Sequence, residues 1–115
     1  MNRAGLAAAL WCLALPAAAQ TLEGQALAKA NQCLACHQVD AKRVGPSFRA
    51  VGERFAGTEG AQDYLAKAIR HGGRGRWGAI PMPAQPQVDE QEAKDLASWI
   101  LSLGDKSPPA ESGKP

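Results

Sequence analysis

The chain has 115 residues, which is enough for one small domain. Its 13 basic and 11 acidic residues nearly balance, and no known motif combines the basic residues with stacking aromatics, so the composition does not favour nucleic-acid binding. The charges are unevenly spread, with eight basic residues between Lys42 and Arg76 and four acidic residues between Asp89 and Asp95. This distribution fits either an ordinary solvated surface or a dipole that orients a charged partner.

The N-terminal segment has the pattern of an export signal. Met1-Asn2-Arg3 supplies one positive charge, residues 4–15 are apolar, and the small residues 17–19 form an A-x-A cleavage site. We therefore predict that residues 1–19 are a cleaved signal peptide, that Cys12 leaves with them and that the mature protein is periplasmic. The apolar stretch is shorter than the ~20 residues that span a bilayer, so we expect no membrane insertion after cleavage.

Residues 20–104 are predicted to form one all-α domain, because three segments have helical periodicity and none alternates with the period of a β-strand. The first helix is predicted to begin with Thr21 as its N-cap and to lead directly into Cys33. Its apolar face is predicted to contain Leu22, Ala26, Leu27 and Ala30.

The other two helices have clearer boundaries. One is predicted over residues 61–71 and ends at Gly72-Gly73; the other is capped by Asp89, with Glu92 completing a capping box, and ends before Gly104. Their apolar faces are formed by Leu65, Ala68 and Ile69 in the first and by Ala93, Leu96, Ala97, Ile100 and Leu103 in the second, with Trp99 beside the latter.

The remaining residues are predicted to be irregular. Two long loops cover residues 38–57 and 72–88, and residues 105–115 form a flexible, proline-rich tail. A domain of this size buries a modest fraction of its surface, and the apolar helical faces are short, so another group must complete the core. A covalently attached haem would provide a large apolar surface for this purpose.

Residues 33–37 read Cys-Leu-Ala-Cys-His, which is the C-x-x-C-H signature of c-type haem attachment. Thiols at positions i and i+3 of one turn lie on one face, so Cys33 and Cys36 can both reach the vinyl groups on one edge of a porphyrin. His37 then supplies the proximal nitrogen ligand of the iron. A thioredoxin-like dithiol would need an α/β context, and a zinc site would need further Cys or His ligands, neither of which the sequence offers.

The second axial ligand of the iron has two candidates. Apart from Met1 the only methionine is Met82, and apart from His37 the only histidine is His71. Prolines on both sides restrict the backbone at Met82, so its thioether would be presented from a stiff loop. His71 ends a predicted helix beside two glycines and is expected to be a solvent-exposed surface residue. We therefore predict His37 and Met82 as the two iron ligands.

With these motifs, the chain resembles the small monohaem class I cytochromes c of the short bacterial periplasmic type. The similarity extends over residues 22–103, and the motifs follow the order found in that family. They are the haem attachment motif, Val44-Gly45-Pro46, Phe55-Ala56-Gly57, Trp77-Gly78, Ile80-Pro81-Met82-Pro83, and a closing helix with Leu96, Trp99 and Leu101.

The resemblance implies a cytochrome c fold, in which three main helices and their loops surround one covalently attached haem c. It also implies that the Pro46 carbonyl accepts the Nδ1 proton of His37, that the Trp77 indole donates to a haem propionate, and that the first and last helices cross near Trp99. Ala68 stands where some relatives carry a basic residue that reaches a propionate, so either Arg70 or another arginine substitutes or the propionate is less neutralised. Gln85 is the nearest counterpart of an asparagine found near the methionine ligand in some relatives.

An iron with imidazole and thioether ligands has no open position, so the expected function is electron transfer rather than catalysis. We expect a soluble monomer that carries one electron at a time between transient partners, such as a cytochrome bc1-type donor and a terminal reductase or oxidase. Two alternatives stay open: a tightly bound subunit of a larger oxidoreductase, and a haem enzyme or sensor in which Met82 is displaced.

Overall fold

The computed structural model describes residues 9–13 and 19–105 and contains four α-helices. These are α1 (Ala19–Ala30), α2 (Phe48–Phe55), α3 (Ala61–His71) and α4 (Glu90–Asp105), and a 3₁₀ turn over Cys33–Ala35 follows α1. In this part of the chain the only β-type pairing is an isolated bridge between Gly73 and Met82. The predicted all-α class is therefore confirmed.

Two predicted segments lie mostly outside the described residues. Of the predicted signal segment, 1–19, only residues 9–13 and Ala19 are described, and of the predicted tail, 105–115, only Asp105 is described, as the last residue of α4. Export and cleavage therefore stay predictions. Across residues 9–13 and 19–105, no helix combines the length and the apolarity needed to cross a membrane.

The predictions for α1 are wrong in two respects. Ala19 and Gln20 are good helix formers and are already helical, so Thr21 lies inside α1 and is not its N-cap. The predicted apolar face is correct at Leu27, which packs against the core, and wrong at Ala26 and Ala30, which are exposed, while Gly24 and Ala28 are buried. A Cβ atom at Gly24 would lie 2.3 Å from the Cβ of Trp99. α1 therefore approaches α4 so closely that small residues, rather than large apolar ones, form the contact, and the two helices meet at Trp99 as the resemblance implies.

Helix α2 lies within the segment predicted to be a loop. Ser47 is its N-cap, since its hydroxyl accepts a hydrogen bond of 3.0 Å from the amide of Ala50. The helix buries Phe48, Val51 and Gly52, which are spaced as one helical face. The loop prediction for residues 38–57 is therefore wrong over α2. The Ser47 cap and the buried face of Phe48, Val51 and Gly52 stabilise a short helix directly after Gly45-Pro46.

Helix α4 begins as predicted and ends later. The Asp89 carboxylate accepts a hydrogen bond of 2.7 Å from the amide of Glu92, and the Glu92 carboxylate accepts one of 3.1 Å from the amide of Asp89. The helix continues through Gly104 to Asp105, so Gly104 does not terminate it. Instead, Gly104 packs against α2, where a Cβ at Gly104 would lie 2.2 Å from the carbonyl carbon of Gly52.

Helix α4 is the central element, because α1, α2 and α3 all pack against it. All five residues of its predicted apolar face are buried, and so is Trp99, which is 4% exposed. Leu65 and Ile69 from α3 and Val51 from α2 complete the core around them. This arrangement leaves the long connections, residues 36–47 and 72–88, on one side of α2 and α3, and these connections form the site described below.

The close contact between α2 and α4 leads to a stability prediction. We expect Gly52→Ala to lower the free energy of unfolding by ~1–3 kcal/mol, the usual cost of overpacking. A Cβ at this position would lie 2.2 Å from the carbonyl oxygen of Ile100, and backbone of a buried helix cannot move aside cheaply. Guanidinium denaturation followed by far-ultraviolet circular dichroism measures the change.

Glu53→Ala is the matched control, because Glu53 is the exposed neighbour on the same helix and its replacement should change stability by less than about 0.5 kcal/mol. Alanine is intrinsically better than glycine in a helix by about 1 kcal/mol. If Gly52→Ala stabilised the protein by that amount, the helix propensity would dominate and the tight contact would be refuted.

Candidate functional site

The Cys-Leu-Ala-Cys-His motif begins where α1 ends. Gln32 adopts a left-handed conformation with φ of 62°, which breaks the helix and starts the 3₁₀ turn Cys33–Ala35. The amides of Cys36 and His37 both donate to the Cys33 carbonyl, at 3.2 and 2.9 Å. A 3₁₀ turn brings residues i and i+3 close to one another, which favours the predicted placement of Cys33 and Cys36 on one face.

The two thiols have different surroundings. Cys33 is half-buried and packs against the hydrophobic core, whereas Cys36 is exposed and lines the neighbouring cleft. Burial raises the pKa of the Cys33 thiol, because a thiolate there would lose water without gaining a cation. Neither cysteine forms a disulfide. The motif therefore offers two free thiols, of which Cys36 lines the cleft and Cys33 packs against the core.

The cleft lies between α2, α3 and the loop over residues 73–83, and it encloses about 930 Å³ of empty space, part of it open to solvent. Its wall is almost entirely apolar. The apolar lining includes Phe48, Val51 and Phe55 of α2, Leu65 and Ile69 of α3, and Ile100 of α4.

His37 enters this cleft in a fixed orientation. The Pro46 carbonyl oxygen lies 2.8 Å from His37 Nδ1, and because a carbonyl can only accept, Nδ1 carries the proton. The Phe48 ring stacks on the imidazole, with centroids 4.9 Å apart. Gly45 borders the ring so closely that a Cβ there would lie 2.5 Å from His37 Cε1. Within the described residues no group donates to Nε2, so its lone pair is available to a ligand in the cleft.

Met82 reaches the same cleft from the segment between α3 and α4. Its backbone forms two hydrogen bonds with Gly73, of 2.8 and 3.0 Å, and the nearby Gln85 amide donates to the Ile69 carbonyl at 3.1 Å. Gly72 makes this approach possible with φ of 74° and ψ of −174°, a conformation largely restricted to glycine. The Met82 loop is thus attached to the C-terminal end of α3, in addition to the restriction by its flanking prolines.

The other predicted residues divide into those on the cleft and those away from it. Trp77 lines the cleft and is 40% exposed, while Ala68 lines it on the α3 side. His71 is exposed and does not line the cleft, in agreement with its predicted surface position. Arg70 does not line the cleft either, whereas Arg74 and Arg76 do.

These features fit a large, flat, apolar group that reacts with thiols and accepts an imidazole and a thioether as ligands. A haem c has these properties. The fit does not depend on a conventional cluster of metal ligands, since residues 9–13 and 19–105 contain no group of three or more His, Cys, Asp or Glu side chains that could hold a metal ion. The apolar cleft, with its thiol, imidazole and thioether, is typical of a haem-binding protein.

Comparisons with known proteins agree with this class. Residues 21–104 match the family model described as Cytochrome c. The chain is 54% identical to cytochrome c-551 of Stutzerimonas stutzeri over 88 residues, which cover 76% of this chain and 82% of the relative. It is 49% identical to cytochrome c-552 of Hydrogenobacter thermophilus over 83 residues, covering 72% of this chain and 84% of the relative.

A solved structure gives the same result for the fold. The wild-type cytochrome c552 of Nitrosomonas europaea has a TM-score of 0.68 and 47% sequence identity, covering 69% of this chain and 98% of that one. The chain belongs to the cytochrome c family. It is accordingly an electron-transfer protein with a covalently attached haem c, and Cys33 and Cys36 fit the attachment motif.

Several residues that shape the site were not singled out from the sequence. Phe48 stacks on His37, Gly72 and Gly73 hold the Met82 loop, and Arg76 contributes charge to the wall. The Ser47 cap and the spacing of Phe48, Val51, Gly52 and Phe55 were the signals that could have revealed α2 and with it Phe48. Nothing in the local sequence indicated that Gly73 pairs with Met82.

We expect Gly72→Ala to destabilise the protein by ~1–3 kcal/mol and to loosen the Met82 loop, because the new Cβ adds backbone strain and would lie 2.6 Å from the Met82 carbonyl oxygen. Amide hydrogen exchange at Gly73 and Met82 reports the loosening directly. Gly75→Ala is the matched control, since Gly75 also has a positive φ, of 78°, but a Cβ there meets open space. Equal loss of protection in both variants would contradict a specific role for Gly72.

Proposed function

We propose that this cytochrome is a periplasmic electron carrier in which Cys33 and Cys36 attach the porphyrin and His37 and Met82 bind the iron. The observation that supports this most strongly is the convergence of His37 and Met82, from two separate segments, on one apolar cleft that the free thiol Cys36 also lines. When bound, the haem supplies a one-electron Fe(II)/Fe(III) couple. The segment 1–19 is proposed to direct export and to be removed.

His37 and its neighbours keep the proximal side rigid. Because Nδ1 donates to the Pro46 carbonyl, the imidazole has one tautomer and presents Nε2 to the cleft. The same hydrogen bond makes the imidazole a stronger ligand. The Phe48 ring and Gly45 restrict rotation of the imidazole from its two sides. A ligand that cannot rotate needs little reorganisation when the charge of the cofactor changes.

On the distal side, Met82 contributes a neutral, polarisable sulfur atom. Such a ligand favours ferrous iron more than a harder donor does, and the apolar wall disfavours the additional charge of the ferric form. The hydrogen bonds between Met82 and Gly73 hold the loop in place. The cleft wall contains no Asp or Glu side chain that could serve as a general acid or base, and this argues against the alternative of a haem enzyme.

Electrons are proposed to enter and leave at the mouth of the cleft. The exposed small or apolar residues of the cleft wall include Pro81 and Pro83 together with Val44 and Ile80, which are 47% and 66% exposed, and the exposed Ala35 precedes Cys36 in the chain. A small apolar surface of this kind allows close approach and rapid dissociation, as transient redox partners require. We propose that the partners are a respiratory donor of the cytochrome bc1 type and a terminal reductase or oxidase, and that the carrier is a monomer between encounters.

The ligand assignment is tested by Met82→Leu in the haem-loaded protein. We expect the ferric spectrum to lose its sulfur-to-iron charge-transfer band and the reduction potential to fall by at least about 60 mV, a tenfold shift in the one-electron equilibrium. His71→Gln is the control and should change neither property, because His71 is exposed and away from the cleft. Retention of the band in Met82→Leu, or its loss in His71→Gln, would overturn the assignment.

The same preparation tests export and assembly. Protein from a periplasmic extract should have the mass of a chain beginning at Gln20 plus one haem, and it should elute from a size-exclusion column as a monomer. A mass that retains residues 1–19 would contradict cleavage. Co-elution with a larger oxidoreductase would instead support the alternative of a permanently bound subunit.

The proposed mouth is tested with Ile80→Lys. The added charge removes an apolar contact and introduces repulsion between two approaching copies, so we expect electron self-exchange, measured by NMR line broadening, to slow several-fold. Thr58→Lys adds the same charge at an exposed position outside the cleft lining and serves as the control. Equal slowing in both variants would show that net charge, rather than the mouth, controls the rate.

A further inference from the structure

Two arginines and two aromatic rings form a connected cluster at one end of the cleft wall. The Arg54 guanidinium lies over the Trp77 ring, 4.6 Å from its centroid, and donates a hydrogen bond of 2.7 Å to the Arg76 carbonyl oxygen. The Arg76 guanidinium lies over the Tyr64 ring at 4.9 Å. We call these four residues the arginine cluster. Tyr64, Arg76 and Trp77 line the cleft, so the cluster is part of its wall.

The cluster carries positive charge without a protein counter-ion. Within residues 9–13 and 19–105 the ion pairs are Arg49 with Asp40 and Lys94 with Glu90, so neither Arg54 nor Arg76 has a carboxylate partner. The charged and titratable side chains on the cleft wall are Cys36, His37, Tyr64, Arg74 and Arg76, and no carboxylate is among them. A cleft with this lining would attract an anionic group on its ligand.

The contacts of the cluster also restrict its side chains. Stacking on Tyr64 holds the Arg76 guanidinium, and Arg54 binds both the Trp77 ring and the backbone next to it. A guanidinium held in this way loses less conformational entropy when it binds a carboxylate, and its planar donors match the two carboxylate oxygens. Arg74 also lines the cleft, but it shows no comparable contact within residues 9–13 and 19–105.

We propose that Arg76 binds a propionate carboxylate of the haem next to Trp77 and that Arg54 acts as a positioning residue for both. This inference rests on the proposed function only in that the haem occupies the cleft. It identifies the cation that takes the place of the basic residue which some relatives carry at the position of Ala68. The candidate named from the sequence, Arg70, is replaced in this role because it does not line the cleft.

The test observes the propionates directly. The protein is matured with haem that carries ¹³C at both propionate carboxyl carbons, and their resonances are followed against pH in the ferrous state. We expect Arg76→Gln to raise the pKa of one propionate by about one unit or more, the effect of losing a cation within about 4–6 Å. Arg54→Gln should raise the pKa of the same propionate by a smaller amount, because it frees Arg76 without removing it.

Two further variants separate a specific contact from a general charge effect. Arg70→Gln removes an equal charge from a nearby position off the cleft wall and should leave both propionate pKa values unchanged. Arg76→Lys keeps the charge and should recover at least half of the shift. No change in Arg76→Gln, or an equal change in Arg70→Gln, would overturn the proposal.

Failure of this proposal can be distinguished from failure of the ligand assignment. The carboxyl resonances report on the propionate environment whether or not Met82 binds the iron, and the charge-transfer band reports on Met82 whether or not Arg76 binds a propionate. A normal band with unchanged propionate pKa values in Arg76→Gln would therefore refute the arginine cluster alone.

Discussion

The close packing of α4 against the other three helices is the constraint on which the site depends. Gly24 and Gly52 allow α1 and α2 to approach α4 more closely than side chains with a Cβ would permit. The approach of α2 places Phe48 between two rings, 5.2 Å from the centroid of Trp99 and 4.9 Å from that of His37. Because Trp99 of α4 contacts Phe48 and Phe48 contacts His37, the position of α4 helps to fix the orientation of the proposed proximal ligand.

The distal side of the cleft is built by a different part of the chain. The Met82 loop is attached to α3 through Gly73 and Ile69, and α3 in turn packs on α4 through Leu65 and Ile69. The two proposed ligands thus belong to separate segments that share one supporting helix. Such an arrangement can hold both ligands still while the charge of a bound cofactor changes, which is the physical requirement for fast electron transfer with little reorganisation.

The charge of the cleft wall, like its shape, limits the groups that the cleft can bind. The wall combines a large apolar surface with two arginines and no carboxylate, so it disfavours added positive charge inside while attracting anionic groups at one end. The exposed apolar residues Val44 and Ile80 lie at the mouth. A group that fits this cleft is apolar over most of its surface and has an anionic part that the arginines attract, and these properties match those of a haem used for electron exchange.

Much of the molecule could be predicted from local sequence. The C-x-x-C-H motif, the capping box of Asp89 and Glu92, and the apolar periodicity of α3 and α4 each involve residues within a few positions of one another. Their physical meaning does not depend on distant parts of the chain. The all-α class and the covalent haem followed from these patterns, and Met82 followed as a candidate ligand because the sequence contains so few alternatives.

The sequence by itself thus determined the chemistry of the site, namely two thiols, an imidazole and a thioether, and the helices whose signals are local. Tertiary structure decided the remainder: that Gly24 and Ala28 form the contact face of α1, that Gly104 packs on Gly52, and that Arg76 rather than Arg70 lines the cleft. Glycine and alanine have little or no apolar side chain, so they do not indicate a buried face in the sequence. Arginine is expected at the surface in any helix or loop. Their roles arise from close approach between residues far apart in the chain, which no local pattern encodes.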